Sequence, residues 1–152
     1  MIGSDKDTST LNSLIKTTID SINGYQESAD AVENPRFREM FQELARDRQQ
    51  VVPKLQAEVS RLGGNPEDDG SAAAAMHRGW VDLKSAITGR DDKSIINEVE
   101  RGEDYIKEKF ETAMNSGDLS PETRNAVQQC YQSVRQGHDR VRDLKHALEG
   151  TH

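Results

Sequence analysis

Two residues place metal-binding side chains where an apolar side chain is expected. On a helical projection of roughly 100° per residue, Glu103 falls within about 40° of Val99, on the apolar stripe of its segment. His138 interrupts the apolar stripe of the last predicted helix in the same way. A charged group on the inner face of a helix is costly unless it is paired, protonated or bound to a metal.

Three further polar residues lie on or beside the predicted inner faces. Arg48 occupies a stripe position, Asp47 lies at the edge of that stripe, and Gln26 lies on the inner face of the first helix. Because bundles pack their residues in layers, these residues are expected at similar heights to Glu103 and His138.

Two interpretations fit this set of residues. In the first, Glu103 and His138 hold iron, manganese or zinc, since bundles bind such ions through inward carboxylates and imidazoles. In the second, a buried polar network joins Arg48 to Glu103, with Asp47 or His138 nearby and Gln26 completing the hydrogen bonds. A di-metal site needs about four carboxylates and two histidines, and the Arg48 cation would repel a divalent ion. We therefore favour the network and expect no cofactor.

The elements that position these residues are predicted to be helices, because apolar residues recur at spacings of three and four. Residues 1–8 are polar and are predicted to be disordered, and residues 9–149 are predicted to form a single domain. The predicted helices run from a cap at Thr8 or Ser9 to Val32, from Arg36 to Leu62, from Ser71 to Gly89, from Asp91-Asp92 to Asn115, and from a cap at Ser120 to Leu148.

The lengths of these helices predict the architecture. Tight turns at Asn34-Pro35 and Gly117 make two antiparallel hairpins of long helices. The shorter helix, with Trp80 as its anchor or as an oligomer contact, connects the hairpins along the length of the bundle. The fold class is therefore all-α, a four-helix bundle with a short crossover helix between the second and third long helices, which run parallel.

Composition excludes several classes of function. The net charge of −7 argues against nucleic-acid binding, since there is no excess of cations to displace counterions. No apolar run approaches the length of a membrane span, and no secretory leader is recognised at the N-terminus. The single cysteine, Cys130, lies in an apolar stripe, where a small core residue is expected and not a nucleophile. We expect a cytoplasmic protein.

Two phrases carry a family resemblance, ITGRDDKSIINEVERGEDYIKEKFETAM and YQSVRQGHDRVRDLKHAL. With the helix layout, they resemble a bacterial family of ferritin-like four-helix-bundle proteins of undefined function, over about Leu11 to Leu148. The resemblance implies a ferritin-like fold with a short crossover helix, a cytoplasmic location, and an association with stress or stationary-phase physiology.

The same resemblance can be carried to the ligand positions of di-iron members. Those members carry an inward Glu on the first and third long helices and Glu-x-x-His on the second and fourth. The resemblance aligns Tyr25 with a first-helix tyrosine and places Thr18 in the first Glu position. Glu103 and His138 match ligands, whereas Arg135 stands where the last helix needs Glu, and the second helix has no match. The resemblance thus supports the fold and argues against the di-iron chemistry.

These observations lead to a functional prediction that leans away from an enzyme. We predict a non-enzymatic structural or interaction protein, stress related, that forms a homo-oligomer, with a dimer as the favoured form. The alternative is a metal-binding or oxidoreductase bundle that uses Glu103 and His138 with water or a second subunit's ligands. A third hypothesis is small-ligand binding in the core near Gly102 and Gly137.

Overall fold

The computed structural model describes residues 2–67, 92–117 and 119–150, with side chains described between residues 6 and 147. This part of the chain consists of four long helices: α1 (Ile2–Ala31), α2 (Pro35–Arg61), α3 (Asp92–Asn115) and α4 (Pro121–Gly150). The described residues contain no strand, and none of their helices is long and apolar enough to cross a membrane. The predicted crossover helix, with Trp80, lies outside the described residues.

Contacts at the two ends of the bundle define its topology. The Asp92 carboxylate at the start of α3 accepts hydrogen bonds from the backbone N–H groups of Glu33 and Asn34, just before α2. At the other end, Asp7 near the start of α1 bonds Ser120 immediately before α4. Therefore α2 and α3 begin at one end and run parallel, as predicted, while α1 and α4 begin at the other. Both α1 and α4 pack against α2 and against α3.

The start of α1 differs from the sequence-based expectation. Residues 1–8 were expected to be disordered, whereas α1 begins at Ile2 and Asp7 is 1% exposed. Asp7 accepts from the Ser120 backbone N–H at 3.2 Å and from its hydroxyl at 2.7 Å. N–H groups at the start of a helix lack intrahelical acceptors, so the carboxylate gains bonds that offset its burial. The prediction was wrong because this partner is 113 residues away in sequence.

The helix ends follow local chemistry. The Asn34 side chain accepts from the Arg36 N–H at 2.9 Å, and Pro35, which has no N–H to satisfy, opens α2. Gly63 and Gly117 have φ of 83° and 77° just beyond α2 and α3, a backbone conformation that a side chain disfavours. Ser120 caps α4 by accepting from the Thr123 N–H at 3.4 Å.

The core is divided into two clusters of buried apolar side chains. One, which includes Leu55 and Phe110, lies toward the starts of α1 and α4. The other, which includes Tyr25 and Phe41, lies toward the starts of α2 and α3. Each fully buried side chain of this size contributes about 1.5–3 kcal/mol to folding. The polar residues that lie between the two clusters form the candidate site.

Candidate functional site

The centre of the bundle holds a buried ion pair between Arg48 of α2 and Glu103 of α3. Arg48 Nη2 lies 2.6 Å from Glu103 Oε2, and the two side chains are 1% and 0% exposed. The guanidinium also donates from Nη1 to the Ser21 hydroxyl of α1 at 2.6 Å and from Nη2 to the Val134 carbonyl of α4 at 3.3 Å. One side chain is therefore bonded to each of the other three helices.

A glycine makes room for the guanidinium. A Cβ at position 137 of α4 would lie 2.7 Å from Arg48 Nη2 and 3.3 Å from Leu44 Cδ2. The first distance is shorter than real Cβ contacts allow. Gly137 therefore allows the Arg48 head group to approach the backbone of α4.

The charges of the pair shift the pKa values of the buried groups around it. Burial has the largest effect on the pKa of Arg48 and lowers it, but the charge of Glu103, the hydrogen bond to Glu103 and smaller contributions from Tyr25 and Asp47 together raise this pKa above its ordinary value. Burial raises the pKa of Tyr25 well above its ordinary value, and the charge and hydrogen bonding of Glu103 raise it further. The Arg48 guanidinium carbon lies 5.6 Å from the Tyr25 ring centroid, within the range of a cation–π contact. Arg48 is thus charged and Tyr25 neutral at pH 7.

His138 has partners other than the ion pair. Its Nε2 lies 2.7 Å from Asp104 Oδ1 on α3, and its Nδ1 lies 3.3 Å from Asp139 Oδ1 on α4. The hydrogen bond from His138 lowers the pKa of Asp139. The His138 side chain is 10% exposed and that of Asp104 is 62% exposed, so this group lies at the surface edge between α3 and α4.

The predicted network is therefore only partly present. Gln26 and Asp47 are exposed, and the prediction that they belong to a buried network was wrong. Gln26 directly follows the inward residue Tyr25, and Asp47 directly precedes the inward residue Arg48. Because a step of one residue turns about 100° around a helix, both side chains point away from the core.

The sequence interpretation missed Ser21, which is fully buried and bonded to Arg48. The inward position of Ser21 could have been predicted from helical spacing, because Ser21 lies three residues after Thr18 and four before Tyr25, on the same face of the helix. Thr18 is also buried, but its hydroxyl bonds the Leu14 carbonyl of its own helix at 2.7 Å.

The donor set of these residues does not fit a metal pair. Glu103 is bonded to a cation, and both ring nitrogens of His138 face aspartates. Within residues 2–67, 92–117 and 119–150, no group of three or more His, Cys, Asp or Glu side chains is arranged to hold a metal ion.

Cys130 also lacks the environment of a reactive group. Burial raises the pKa of its thiol to about 11, so it is protonated at neutral pH.

Comparison with known proteins supports the architecture. The chain is similar to the protein in an X-ray structure of Dps from Thermosynechococcus elongatus, with a TM-score of 0.73 and 15% sequence identity. The similarity covers 94% of this chain and 92% of that chain. At this identity it shows the fold, and the prediction of an all-α, ferritin-like four-helix bundle is confirmed.

Sequence comparison adds a family. A search of curated proteins gives no match. Residues 6–116, more than two thirds of the chain, match a family described as a domain of unknown function, DUF2383. The protein therefore belongs to the DUF2383 family.

Proposed function

We propose that this chain is a non-enzymatic structural or interaction protein, built on a ferritin-like bundle whose centre holds an ion pair in place of a metal site. The observation that carries the proposal is the 2.6 Å contact between Arg48 and Glu103, where Glu103 was the best candidate for an inward metal ligand. A metal cation that bound Glu103 at Oε2 would have to displace the guanidinium, and one that bound at Oε1 would lie beside its positive charge.

The cost of such a displacement favours the ion pair over a metal. Arg48 is buried and keeps its charge, so losing Glu103 would leave a cation in the core without its counter-charge. Separating a buried pair in this way costs about 3–5 kcal/mol. The remaining hydrogen bonds of Arg48, to Ser21 and Val134, go to neutral oxygens.

Self-association belongs to the same proposal. We propose a homo-oligomer, with the dimer as the favoured form, because a non-enzymatic bundle of the proposed kind would act through its surfaces. The proposal also includes a cytoplasmic location, supported by a single cysteine held as a buried thiol. The family resemblance adds stress or stationary-phase physiology.

Metal analysis of the full chain tests the proposal. The protein is purified without chelator, equilibrated with Fe²⁺, Mn²⁺ or Zn²⁺, desalted, and measured by inductively coupled plasma mass spectrometry. The variants are Glu103→Gln, His138→Gln and, as a matched control, Glu108→Gln on the exposed side of α3. We expect substoichiometric metal in all four proteins and no Fe²⁺ oxidation above the protein-free rate.

One result would overturn the proposal in favour of the metal-binding or oxidoreductase alternative. It is stoichiometric metal in the wild-type protein that is lost in Glu103→Gln or His138→Gln and retained in Glu108→Gln. Circular dichroism of each variant establishes that a loss of metal does not reflect unfolding.

A further inference from the structure

The surface between α1 and α2 contains a groove of about 340 Å³, and neither residue of the central ion pair lines it. Its apolar part comes from Ile19 and Ile22 of α1 and from Val52 and Pro53 of α2. The two isoleucines are buried, Val52 is half-buried and Pro53 is exposed, so the groove has an apolar floor that is open to solvent at one side.

Side-chain amides form the rim of the groove. Asn23 and Gln26 lie on α1, and Gln49 and Gln56 lie on α2. The Gln56 amide is bonded to the Glu67 carbonyl at 2.9 Å. In the described part of the chain, the other three amides have no hydrogen-bond partner.

A backbone acceptor adds to this rim. Pro53 has no N–H, so it cannot bond the carbonyl of Gln49 one turn earlier in α2. The groove therefore presents hydrogen-bond donors and acceptors around an apolar floor.

The groove residues are also uncharged, although charged residues make up 31% of the chain. On each helix the lining positions follow the spacing i, i+3, i+4, i+7, so they form a second stripe on α1 and another on α2. Two helices with matched stripes form the kind of surface that packs against another helix pair.

The chemistry of this surface selects its partner. In a two-fold dimer the same patch faces itself, so every group must tolerate its own copy. An amide meets this requirement because it both donates and accepts, whereas a carboxylate would face another carboxylate. A charge-free patch also keeps two chains of net charge −7 from placing like charges in contact.

We propose that a second copy of this chain docks in the α1–α2 groove, with the amides of one copy bonding those of the other around the apolar floor. This inference rests on the self-association in the proposed function, and does not depend on whether the centre binds metal. Because the two isoleucines of the floor are already buried in the single chain, docking covers little further apolar surface, which predicts a reversible dimer.

Sedimentation equilibrium over a concentration series tests the site. The double variant Gln26→Glu and Gln49→Glu places like charges in both copies of the groove. The matched control is Gln128→Glu with Gln132→Glu on exposed positions of α4, which changes the net charge equally. We expect the groove variant to weaken dimerisation by about tenfold or more and the control to leave it within about twofold.

Cross-linking locates the contact directly. The native Cys130 thiol is buried with a raised pKa, so an engineered surface thiol reacts first. Gln49→Cys treated with a short bis-maleimide is expected to give a covalent dimer, and Gln132→Cys on α4 is expected to give none.

Three outcomes would overturn this inference. If the wild-type chain is monomeric at all concentrations, a second copy does not bind in the groove, and the proposal of self-association is also wrong. The groove would then be a candidate site for a small neutral ligand or another protein. A dimer unaffected by the groove variant, or cross-linked only through Gln132→Cys, would place the interface elsewhere while self-association stands. If the groove variant and the control variant weakened dimerisation equally, the added net charge would explain the effect, and the groove would not be the interface.

Discussion

Arg48 reaches the Val134 carbonyl of α4 because position 137, three residues further along the same helix, carries no side chain. A Cβ there would lie 2.7 Å from the Arg48 Nη2 atom that bonds both Val134 and Glu103. Gly137 of α4 and the Arg48 head group of α2 are therefore in direct packing contact. The head group cannot move aside without lengthening a bond to a buried partner.

The first prediction concerns Gly137→Ala. In an ordinary helix this change stabilises by about 1 kcal/mol, since alanine has the higher helix propensity. Here overpacking costs about 1–3 kcal/mol, so we expect a net loss of about 1 kcal/mol in the free energy of unfolding, measured by urea denaturation. The loss is expected to disappear in an Arg48→Met background. A gain in stability from Gly137→Ala in the wild-type background would show that the site is not tightly packed.

The second prediction concerns the ion pair itself. Glu103→Ala leaves the buried Arg48 cation without its counter-charge, and we expect a loss of about 3–5 kcal/mol. The double variant Arg48→Met with Glu103→Leu replaces the pair by apolar side chains and is expected to recover most of that loss. A single variant that costs less than about 1 kcal/mol, the range of exposed ion pairs, would contradict the burial of the pair.

The third prediction concerns the start of α1. Asp7→Ala removes the acceptor of the Ser120 N–H and hydroxyl groups, and we expect a loss of about 1–2 kcal/mol. Ser120→Ala is expected to cost a similar amount, and the two losses are expected not to add, because both break the same contact. Fully additive losses would mean that the first turns of α1 do not pack against α4.

The fourth prediction concerns alkaline pH. Burial, followed by the hydrogen bond to Glu111, raises the pKa of Tyr131 to about 12, and burial raises that of Tyr25 well above its ordinary value. The unfolded chain loses these protons near pH 10, before the folded protein does. The contribution of these two tyrosines to the free energy of unfolding is therefore fully present below about pH 10 and is lost as pH rises through the pKa values of the folded protein.

Absorbance of phenolate at 295 nm, recorded beside circular dichroism, measures this behaviour. We expect part of the ionisation to coincide with unfolding above about pH 10, and Tyr131→Phe to reduce the decline in stability between about pH 10 and 12. Complete phenolate formation near pH 10 in a protein that is still folded would contradict the prediction.

The fold could be predicted from the sequence because its signals are local and repeated. Residues such as Leu55 and Phe110 recur at helical spacing, and Asn34-Pro35 and Ser120-Pro121 mark helix starts that the structure contains. The inward position of Arg48 and Glu103 followed from the same periodicity, since each interrupts an apolar stripe and is fully buried.

The contacts that the sequence did not predict join residues that are far apart in sequence. Asp7 is polar and near the terminus, and only its bond to Ser120 explains its burial. His138 occupies a core position by periodicity, yet its partner Asp104 is next to Glu103 in sequence and on the exposed side of α3. Rotation of a helix by less than one residue step decides such contacts, and an idealised projection does not resolve it.

The long sequence separation of the central pair also bears on the order in which the protein folds during synthesis. Arg48 leaves the ribosome 55 residues before Glu103 and 86 residues before the Val134 carbonyl. Until then, the α1–α2 hairpin carries on its inner face a cation whose hydrogen bond within the described residues of that hairpin goes to the Ser21 hydroxyl. We therefore expect the hairpin to gain its final packing only when the second hairpin arrives, so that the bundle forms as one cooperative unit.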